Sequence, residues 1–296
     1  MTIERPRSSG LALDPRIPVL TRPDGRIQFG WDPDRALVLT PPPGVRTADL
    51  LELVRLLDGR HSRPHILWTA VGLGMSPTDV SKLLGDLDRA GLLGGEHPVA
   101  VPAHTIRVHG RGPLSDAVSA GLADSGVRVS RSSRYFADSE ARRWNATCVV
   151  LADDLVAEPR LVADLVRNRI PHLPVRLRDG RGLVGPLVLP GHTSCLRCAD
   201  LVRCSYDEDW PHLAAQLLGA VGSATPAVVM ATAAIALRQL EIVLSVPHRS
   251  VPSSLGATLE IDLDAHRLVT RRWPRHPMCS CAQVTPPVGG SDRLPS

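Results

Sequence analysis

Lysine is nearly absent from this sequence of 296 residues: Lys82 is the only one among 34 basic residues, and all the others are arginines. Chemistry that needs a side-chain amine after the first hundred residues therefore has no lysine to supply it. The 34 basic and 30 acidic residues leave a net charge of +4. This excess is too small to indicate a nucleic-acid partner, and we expect none.

Aromatic residues are also scarce, at 3% of the chain. Base-stacking surfaces need aromatic side chains, so an RNA-recognition sheet or a single-strand binder is disfavoured. The first residues show no apolar run of the kind that forms a secretory signal. We therefore expect a cytoplasmic protein, in which the six cysteines are metal ligands more readily than disulfides.

Charge is missing from residues 213–237, a stretch long enough to cross a bilayer. Gly219, Gly222 and Pro226 interrupt it, and Pro226 suits the first position of a helix after a turn. We interpret the stretch as helices of the protein core rather than a membrane span. The same apolar surface could also serve a homodimer.

The length indicates about two domains, and the hydrophobic content of 43% is enough for sizeable cores. Pro-, Gly- and Ser-rich stretches divide the chain. We predict a loose N-terminus at residues 1–15, a first domain at 16–95, a linker at 96–104, a second domain at 105–282 and a disordered tail at 283–296.

The first domain has the pattern of short strands followed by three small helices. Strands are predicted at residues 16–20, 26–31 and 36–39, and Thr47 is the expected cap of the first helix. Ser76 followed by Pro77 and Asp79 predicts the start of the third helix, which runs over residues 76–90. The order predicts a small winged-helix-like α+β domain.

From Thr105 the pattern changes to strands alternating with helices, which is typical of βαβ units in a Rossmann-like α/β sheet. The strand that begins at Cys148 is wholly apolar, as in a parallel sheet, and Cys148 is predicted to be a core residue. A further strand is predicted at residues 187–189, and an antiparallel hairpin near residues 259–272.

Two cysteine pairs carry the strongest chemical signal: Cys195 with Cys198, and Cys279 with Cys281. Four thiolates from two such turns make a closed tetrahedral Zn²⁺ site, which leaves no open position for catalysis. Cys-x-Cys is the less common spacing, so His276 or Cys204 could replace Cys281. Free buried thiols and a redox pair are the alternatives.

A glycine loop follows the strand that begins the second domain. Gly110 and Gly112 lie between this strand and a predicted helix, where a backbone can approach a phosphate. Ser115 stands where a third glycine is expected, and Pro113 lacks an N–H. The loop is either a nucleotide site or simply a tight turn.

Several segments resemble the ThiF/MoeB-like (ubiquitin-activating-type) adenylyltransferases. They are residues 106–126, 170–175, 184–198, 207–216 and 276–281, and the likeness covers residues 105–282. The run GPLVLPG followed by Cys195 and Cys198 is similar to the ThiF-like proteins of azole- and azoline-forming (RiPP) peptide clusters. The first domain resembles the PqqD-type leader-peptide recognition module of those proteins.

The resemblance implies an adenylating fold that binds zinc through Cys195, Cys198, Cys279 and Cys281. Active members also carry a ribose-binding Asp, a Ser-Asn-Leu segment, a phosphate-binding Lys and a metal-side Asp. Asp153 or Asp154 could stand for the last of these, and strand-end solvated acids are the alternative. The other parts have no counterpart, so ATP phosphates would rely on Arg131, Arg134, Arg142 or Arg143.

Three functions follow. The first is a degenerate, non-catalytic, zinc-binding protein that binds a peptide and presents it to a YcaO-type cyclodehydratase, with residues 27–31 as the peptide-accepting edge strand beside the helix at 76–90. The second is an active adenylyltransferase of a C-terminal carboxylate that uses ATP and Mg²⁺ at Gly110, Gly112, Ser115 and Asp153. The third is a winged-helix DNA-binding regulator, which the acidic residues of the helix at 76–90 disfavour.

Overall fold

The computed structural model describes residues 10–95, 104–136, 140–244 and 250–283. Contacts within the chain divide it into two compact units, Met1–Val101 and Pro102–Ser296. The first nine residues lie outside the described residues. So do the predicted linker at 96–104 and the predicted tail at 283–296, apart from residues 104 and 283.

The first unit consists of short strands and three helices. In chain order they are β1 (Leu11–Leu13), β2 (Val19–Thr21), β3 (Ile27–Phe29), β4 (Leu37–Leu39), α1 (Thr47–Arg55), α2 (Arg63–Gly72), α3 (Pro77–Arg89) and β5 (Leu93–Gly95). Strands β2, β3 and β4 form an antiparallel sheet, and β1 pairs with β5. The inward faces of the helices and the buried side chains of β3 share one apolar core.

The predicted start of α3 is confirmed at atomic detail. The backbone N–H of Asp79 donates to Ser76 Oγ (3.2 Å), and the N–H of Ser76 donates to the Asp79 carboxylate (3.1 Å), which together form a capping box. The prediction for α1 was wrong, because Thr47 is its first helical residue and Arg46 precedes the helix. The Thr47 hydroxyl instead donates to the carbonyl of Gly25 (2.6 Å).

Two further expectations about the first unit were wrong. Strand β3, which was expected to be an open edge, pairs with β2 on one side and β4 on the other. Its side chains Ile27 and Phe29 are buried, so the strong apolar pattern reflects a central strand. Residues 11–13, expected to be loose, form β1 because β5 supplies a pairing partner.

The second unit is a mixed α/β structure, as the alternating pattern predicted. Its elements are β6 (Thr105–His109), α4 (Pro113–Asp124), β7 (Arg128–Ser132), β8 (Cys148–Asp153), α5 (Pro159–Arg167), β9 (His172–Arg178), β10 (Arg181–Val184), α6 (Leu196–Tyr206), α7 (Trp210–Gln216), α8 (Pro226–Leu244), β11 (Ala257–Asp262) and β12 (Arg267–Arg272). Two short 3₁₀ helices lie at Ala141–Trp144 and Ser280–Gln283.

The strands of this unit form one seven-stranded sheet in the order β12-β11-β10-β9-β8-β6-β7. Strands β7, β6, β8 and β9 are parallel, and β9 to β12 are antiparallel. Every residue of β8 is buried, which confirms Cys148 as a core residue. The strand predicted at residues 187–189 forms only isolated bridges, and β10 takes its place in the sheet.

Helices cover the sheet on both faces of its parallel half. Helices α4 and α8 pack with the apolar residues of β6, β8 and β9 on one face, and α5 and the start of α6 pack on the other. Helix α8 begins at Pro226, as predicted. It is long and apolar enough to cross a membrane, and 39% of its apolar window is buried in this unit.

Strand β12 is the edge of the sheet beyond β11. All six of its residues are exposed, including Leu268 and Val269. Three of the six, Arg267, Arg271 and Arg272, are arginines. The antiparallel end of the sheet is therefore a basic, solvent-facing edge within the described chain.

Candidate metal centre and nucleotide loop

The four predicted zinc-ligating cysteines meet at one point. Their Sγ atoms all lie within 4.8 Å of one another, and all four residues are buried. The Sγ–Sγ distances are 3.9 Å for Cys195–Cys198, 3.6 Å for Cys195–Cys279 and 3.4 Å for Cys198–Cys281. A tetrahedral Zn²⁺ with Zn–S bonds of about 2.3 Å has Sγ–Sγ edges of about 3.8 Å, so the cluster fits this ion.

Local structure explains how each pair is aimed. Cys195 is the N-cap of α6 and Cys198 lies in its first turn, so the first pair opens a helix that the sequence did not predict. In the second pair, the N–H of Cys279 donates to the carbonyl of His276 (3.0 Å), and Cys281 lies in the 3₁₀ helix that follows. The two turns are 84 residues apart in sequence, measured from Cys195 to Cys279.

The thiols of the cluster differ in their electrostatics. Burial raises the pKa of Cys195 and raises that of Cys281 to about 12. Burial acts in the same direction on Cys198, but hydrogen bonds from backbone N–H groups of the turns outweigh it and lower the pKa. Several buried thiolates in contact require a cation, and a bound metal ion would supply that charge.

Neither alternative ligand belongs to the cluster. His276 lies next to the second turn, where its Nδ1 accepts the N–H of Met278 (3.2 Å). Cys204 is half-buried on α6, and the groups of metal-ligating side chains among the described residues do not include it. The four cysteines alone form the candidate centre.

The glycine loop lies between β6 and α4, and its glycines are required by close packing. A side chain at Gly110 would collide with the carbonyl oxygen of Ala152 at the end of β8. A Cβ at Gly112 would lie 2.7 Å from the Asp153 Oδ1 atom. Both glycines therefore have a structural reason to be present without any nucleotide.

The Asp153 side chain occupies the N-terminus of α4. Its Oδ1 accepts the N–H of Leu114 (2.9 Å), and its Oδ2 accepts the N–H of Ser115 (3.1 Å). Asp153 is 1% exposed and holds a positive φ of 74°, which turns its carboxylate towards the helix. The first N–H groups of a helix have no partner within the helix and commonly bind an anion. In α4 the anion is the Asp153 carboxylate of the chain itself.

Ser115, at the place of the missing third glycine, completes the internal bonding of the loop. Its hydroxyl accepts the N–H of Gly112 (3.0 Å) and donates to the carbonyl of the same residue (2.9 Å). Nearby, Arg131 pairs with Asp116 on the outer face of α4. The structure thus brings Gly110, Gly112, Ser115 and Asp153 together, as the sequence suggested.

On the face of the sheet turned away from α4, aromatic side chains lie beside the loop. The His109 ring stacks on Trp144 (5.5 Å between centroids), and its Nδ1 lies 2.8 Å from Ser132 Oγ. The Arg107 guanidinium lies 4.7 Å above the same indole. Burial, followed by the charge of Arg107, lowers the pKa of His109 to about 4, so the imidazole is neutral at pH 7.

The remaining charged candidates face solvent or each other. Arg142 and Arg143 are exposed and pair with Glu140. Asp154, the alternative to Asp153, is half-buried, and burial together with Asp153 and Glu158 raises its pKa. No local sequence pattern indicated the helix-capping role of Asp153, because its partners lie 38 and 39 residues away.

No protein-family model matches the chain, and no curated protein is similar to it in sequence. Solved structures do share its fold. The heterocyclase TruD superposes with a TM-score of 0.62 at 17% identity, over 92% of this chain and 42% of the heterocyclase. The chain therefore spans less than half the length of that protein.

Escherichia coli MccB matches over nearly its whole length. The structure with MccA-N7isoASN has a TM-score of 0.61 at 16% identity, over 92% of this chain and 99% of MccB. The structure of MccB with ATP gives a TM-score of 0.60 at 15% identity, with the same coverage. MccB is a microcin C7 biosynthetic enzyme, and the likeness supports the predicted ThiF-like fold while showing the fold alone.

Proposed function

We propose that this chain is a non-catalytic, ThiF-like protein that binds a peptide through its first unit and presents it to a partner enzyme. Its neighbours in fold are a heterocyclase and an enzyme crystallised with the peptide MccA. The partner enzyme would be a YcaO-type cyclodehydratase in the cytoplasm, and the presenting protein a homodimer. Zinc at the four cysteines would hold the second unit together.

The observation that carries the proposal is the carboxylate of Asp153 on the N-terminus of α4. Adenylation needs this helix end, or its glycine loop, for ATP phosphates. Two N–H groups there are already bonded at 2.9 and 3.1 Å to Asp153. A phosphate would have to displace a buried carboxylate and lie next to its charge, which like-charge repulsion opposes.

The supply of positive charge supports the same conclusion. No lysine occurs after Lys82. Arg111 lies within the loop and is exposed, and Arg131 beside the loop is paired with Asp116. Arg142 and Arg143 share Glu140. Phosphoryl-group chemistry depends on cations placed in advance around the reacting phosphates, and this arrangement offers few.

The peptide site would be the open edge of the three-stranded sheet in the first unit, which resembles a winged-helix module in its order of strands and helices. Strands β2 and β4 are the edges. All three residues of β4 are half-buried and apolar, whereas two of the three in β2 are exposed. We assign the peptide to β4, where an added strand would cover apolar side chains.

The backbone of β4 offers its free groups at Val38. The N–H of Gly30 donates to the carbonyl of Pro18 (2.8 Å), which fixes the alternation of hydrogen bonds along β3. Gln28 then faces β2, and Val38, which pairs with Gln28, directs its N–H and carbonyl away from β3. An extended peptide would bond to these two groups.

Calorimetry with ATP and Mg²⁺ tests the absence of adenylation. The wild-type chain is expected to give no binding heat and no ATP–pyrophosphate exchange. Replacing Asp153→Ala frees the N-terminus of α4 and is expected to create measurable ATP or phosphate binding without exchange. Exchange by the wild-type chain would overturn the proposal and favour the active adenylyltransferase.

The proposal predicts that the peptide is encoded near the gene for this chain, and peptide binding is tested with synthetic peptides from neighbouring short reading frames. Val38→Pro removes the outward N–H of β4 and is expected to weaken binding at least tenfold. Val19→Pro is the matched control, because it removes an outward N–H from the other edge strand. Equal binding by wild type and Val38→Pro would contradict the assignment to β4.

A further inference from the structure

A large cavity lies on the antiparallel half of the sheet, on the face turned away from α8. Its volume is about 1100 Å³, at the upper end of small-molecule sites. Leu177, Leu259 and Ile261 pack towards α8, so the residues that alternate with them line the cavity. Helices α6 and α7 close its side, and its wall includes Arg176, Arg203, Trp210 and Trp273.

Arg176 is the charged group of this cavity whose bonding is incomplete. Its Nη1 donates to the carbonyl of Leu155 (3.0 Å), and its Nε is buried without a hydrogen-bond partner. Its neighbours Arg178 and Arg203 pair with Glu260 and Asp200 at 3.0 and 2.7 Å. The ion pairs of the described chain include no partner for Arg176.

The environment of Arg176 is poor in compensating charge. Burial, followed by the charge of Arg203, lowers the pKa of Arg176 to about 10, so the guanidinium stays charged at pH 7. Arg176 is half-buried and makes no direct ion pair with the described residues, although the charge of Asp200 raises its pKa, and a bound anion would lower the cost of its partial desolvation.

Arg203 is held rigidly beside it. Its guanidinium lies 4.7 Å from the ring centre of Trp273 and 5.2 Å from that of Trp210. The Trp273 indole N–H donates to Thr258 Oγ1 (2.9 Å), which fixes that ring in the sheet. Two arginines and two indoles thus form a platform whose position does not depend on a ligand.

The chemistry of the wall selects among anions. With Nη1 of Arg176 engaged, the Nε–Nη2 edge remains, and this edge matches the two oxygens of one carboxylate. Glu260, Asp207 and Asp179 also line the cavity and partly offset the charge of its five arginines, and Arg178 is already paired with Glu260. Apolar side chains, among them Leu155 and Leu183, cover the rest.

We propose that this cavity binds a small monocarboxylate with an apolar body, whose carboxylate lies against Arg176 and Arg203. The site is separate from the strand edge assigned to the peptide and does not rest on the proposed function. It would give the second unit a ligand of its own.

The experiment is a titration of the full chain with hexanoate, followed by tryptophan fluorescence, because Trp210 and Trp273 lie in the cavity wall. Hexanol and inorganic phosphate are the comparison probes. Hexanoate is expected to give a saturable change, and the other two none. No saturable change with hexanoate, or phosphate binding as tight as hexanoate, would overturn the proposal.

Variants locate the binding. Arg176→Gln is expected to weaken hexanoate at least tenfold, whereas Arg160→Gln, an exposed arginine on α5 outside the cavity, leaves it unchanged. Arg176→Lys keeps the charge but loses the side-on pair of donors, and it too weakens binding. If Arg176→Gln melts differently from wild type, Arg176→Lys replaces it as the test. Unchanged affinity for hexanoate in a folded variant would refute the site.

Discussion

The cysteine cluster and the glycine loop are the two places in the second unit where the chain gathers ligand-binding groups, and they differ in what completes them. The cluster brings four buried thiols within 4.8 Å of one another, an arrangement that could hold a metal ion. At the loop, two N–H groups at the N-terminus of α4 are bonded to Asp153, a side chain of the same unit. The cysteine cluster is suited to an external metal ion, whereas the N-terminus of α4 is satisfied by a carboxylate of the chain.

This difference separates a site that can serve the stability of the fold from one whose groups are already satisfied within the chain. A metal held by four side chains can be retained for stability alone, because the fold loses a cross-link without it. A phosphate site has no structural purpose of its own. A helix N-terminus that holds no phosphate must be satisfied in some other way, and a buried carboxylate does this in α4.

The largest expected effect comes from breaking the cluster. Replacing Cys281→Ala removes one ligand and is expected to lower the free energy of unfolding by about 3 kcal/mol or more, with loss of bound zinc. Cys204→Ala is the matched control, since Cys204 lies on α6 outside the cluster. Denaturant titration with metal analysis measures both, and an unchanged zinc content in Cys281→Ala would contradict the assignment.

A smaller effect is expected from acid at the loop, through His109. Its pKa in the folded chain is about 4, below the ordinary 6.5, so the unfolded chain takes up the proton first. The stability contributed by neutral His109 is complete above pH 6.5 and is lost as the pH falls towards 4. At pH 5 the loss reaches about 2 kcal/mol.

The readout is the change in unfolding free energy between pH 7 and pH 5, compared for wild type and His109→Gln. The variant is expected to lose less stability over this interval, whatever its absolute stability. Buried His172, whose pKa is also about 4, contributes equally to both proteins and cancels. An equal loss of stability in the two proteins would show that folding does not lower the pKa of His109.

The smallest effect distinguishes Asp153 from its neighbour. Asp153→Asn removes the negative charge at the N-terminus of α4 and one of its two acceptor oxygens. It is expected to lower the free energy of unfolding by about 1 kcal/mol. Asp154→Asn removes a half-buried carboxylate whose pKa is raised, so stability stays the same or increases. Thermal unfolding at pH 7 compares them, and a larger loss for Asp154→Asn would reverse the roles given to the two acids.

Sequence reasoning predicted best where the signal is local. The start of α3 is encoded within the four positions 76–79, through Ser76, Pro77 and Asp79, and the structure confirms it. The apolar run from Cys148 predicted a buried parallel strand, and all of β8 is buried. The four cysteines were predicted to converge because two closely spaced pairs are typical of a site with four thiolate ligands. Their Sγ atoms do lie together.

What was missed depends on contacts between distant residues. Strand β10 is only four residues long, too short to show an alternation of its own, and it is recognisable only once it pairs with β9 and β11. The sequence of β3 could not show whether it was central or at an edge, because that depends on which strands flank it. The bonds from Asp153 to α4 arise from a positive φ that no sequence pattern announced.

The exposed edge of β12 bears on how copies of this chain behave when crowded. An open strand with Leu268 and Val269 in solvent is a template for sheet growth between molecules. Pairing two copies of this strand antiparallel about its centre would bring Arg267 of one opposite Arg272 of the other, so like charges would meet. Repulsion between these arginines opposes pairing of two copies through β12 at low ionic strength. Salt screens the arginines and so weakens this repulsion.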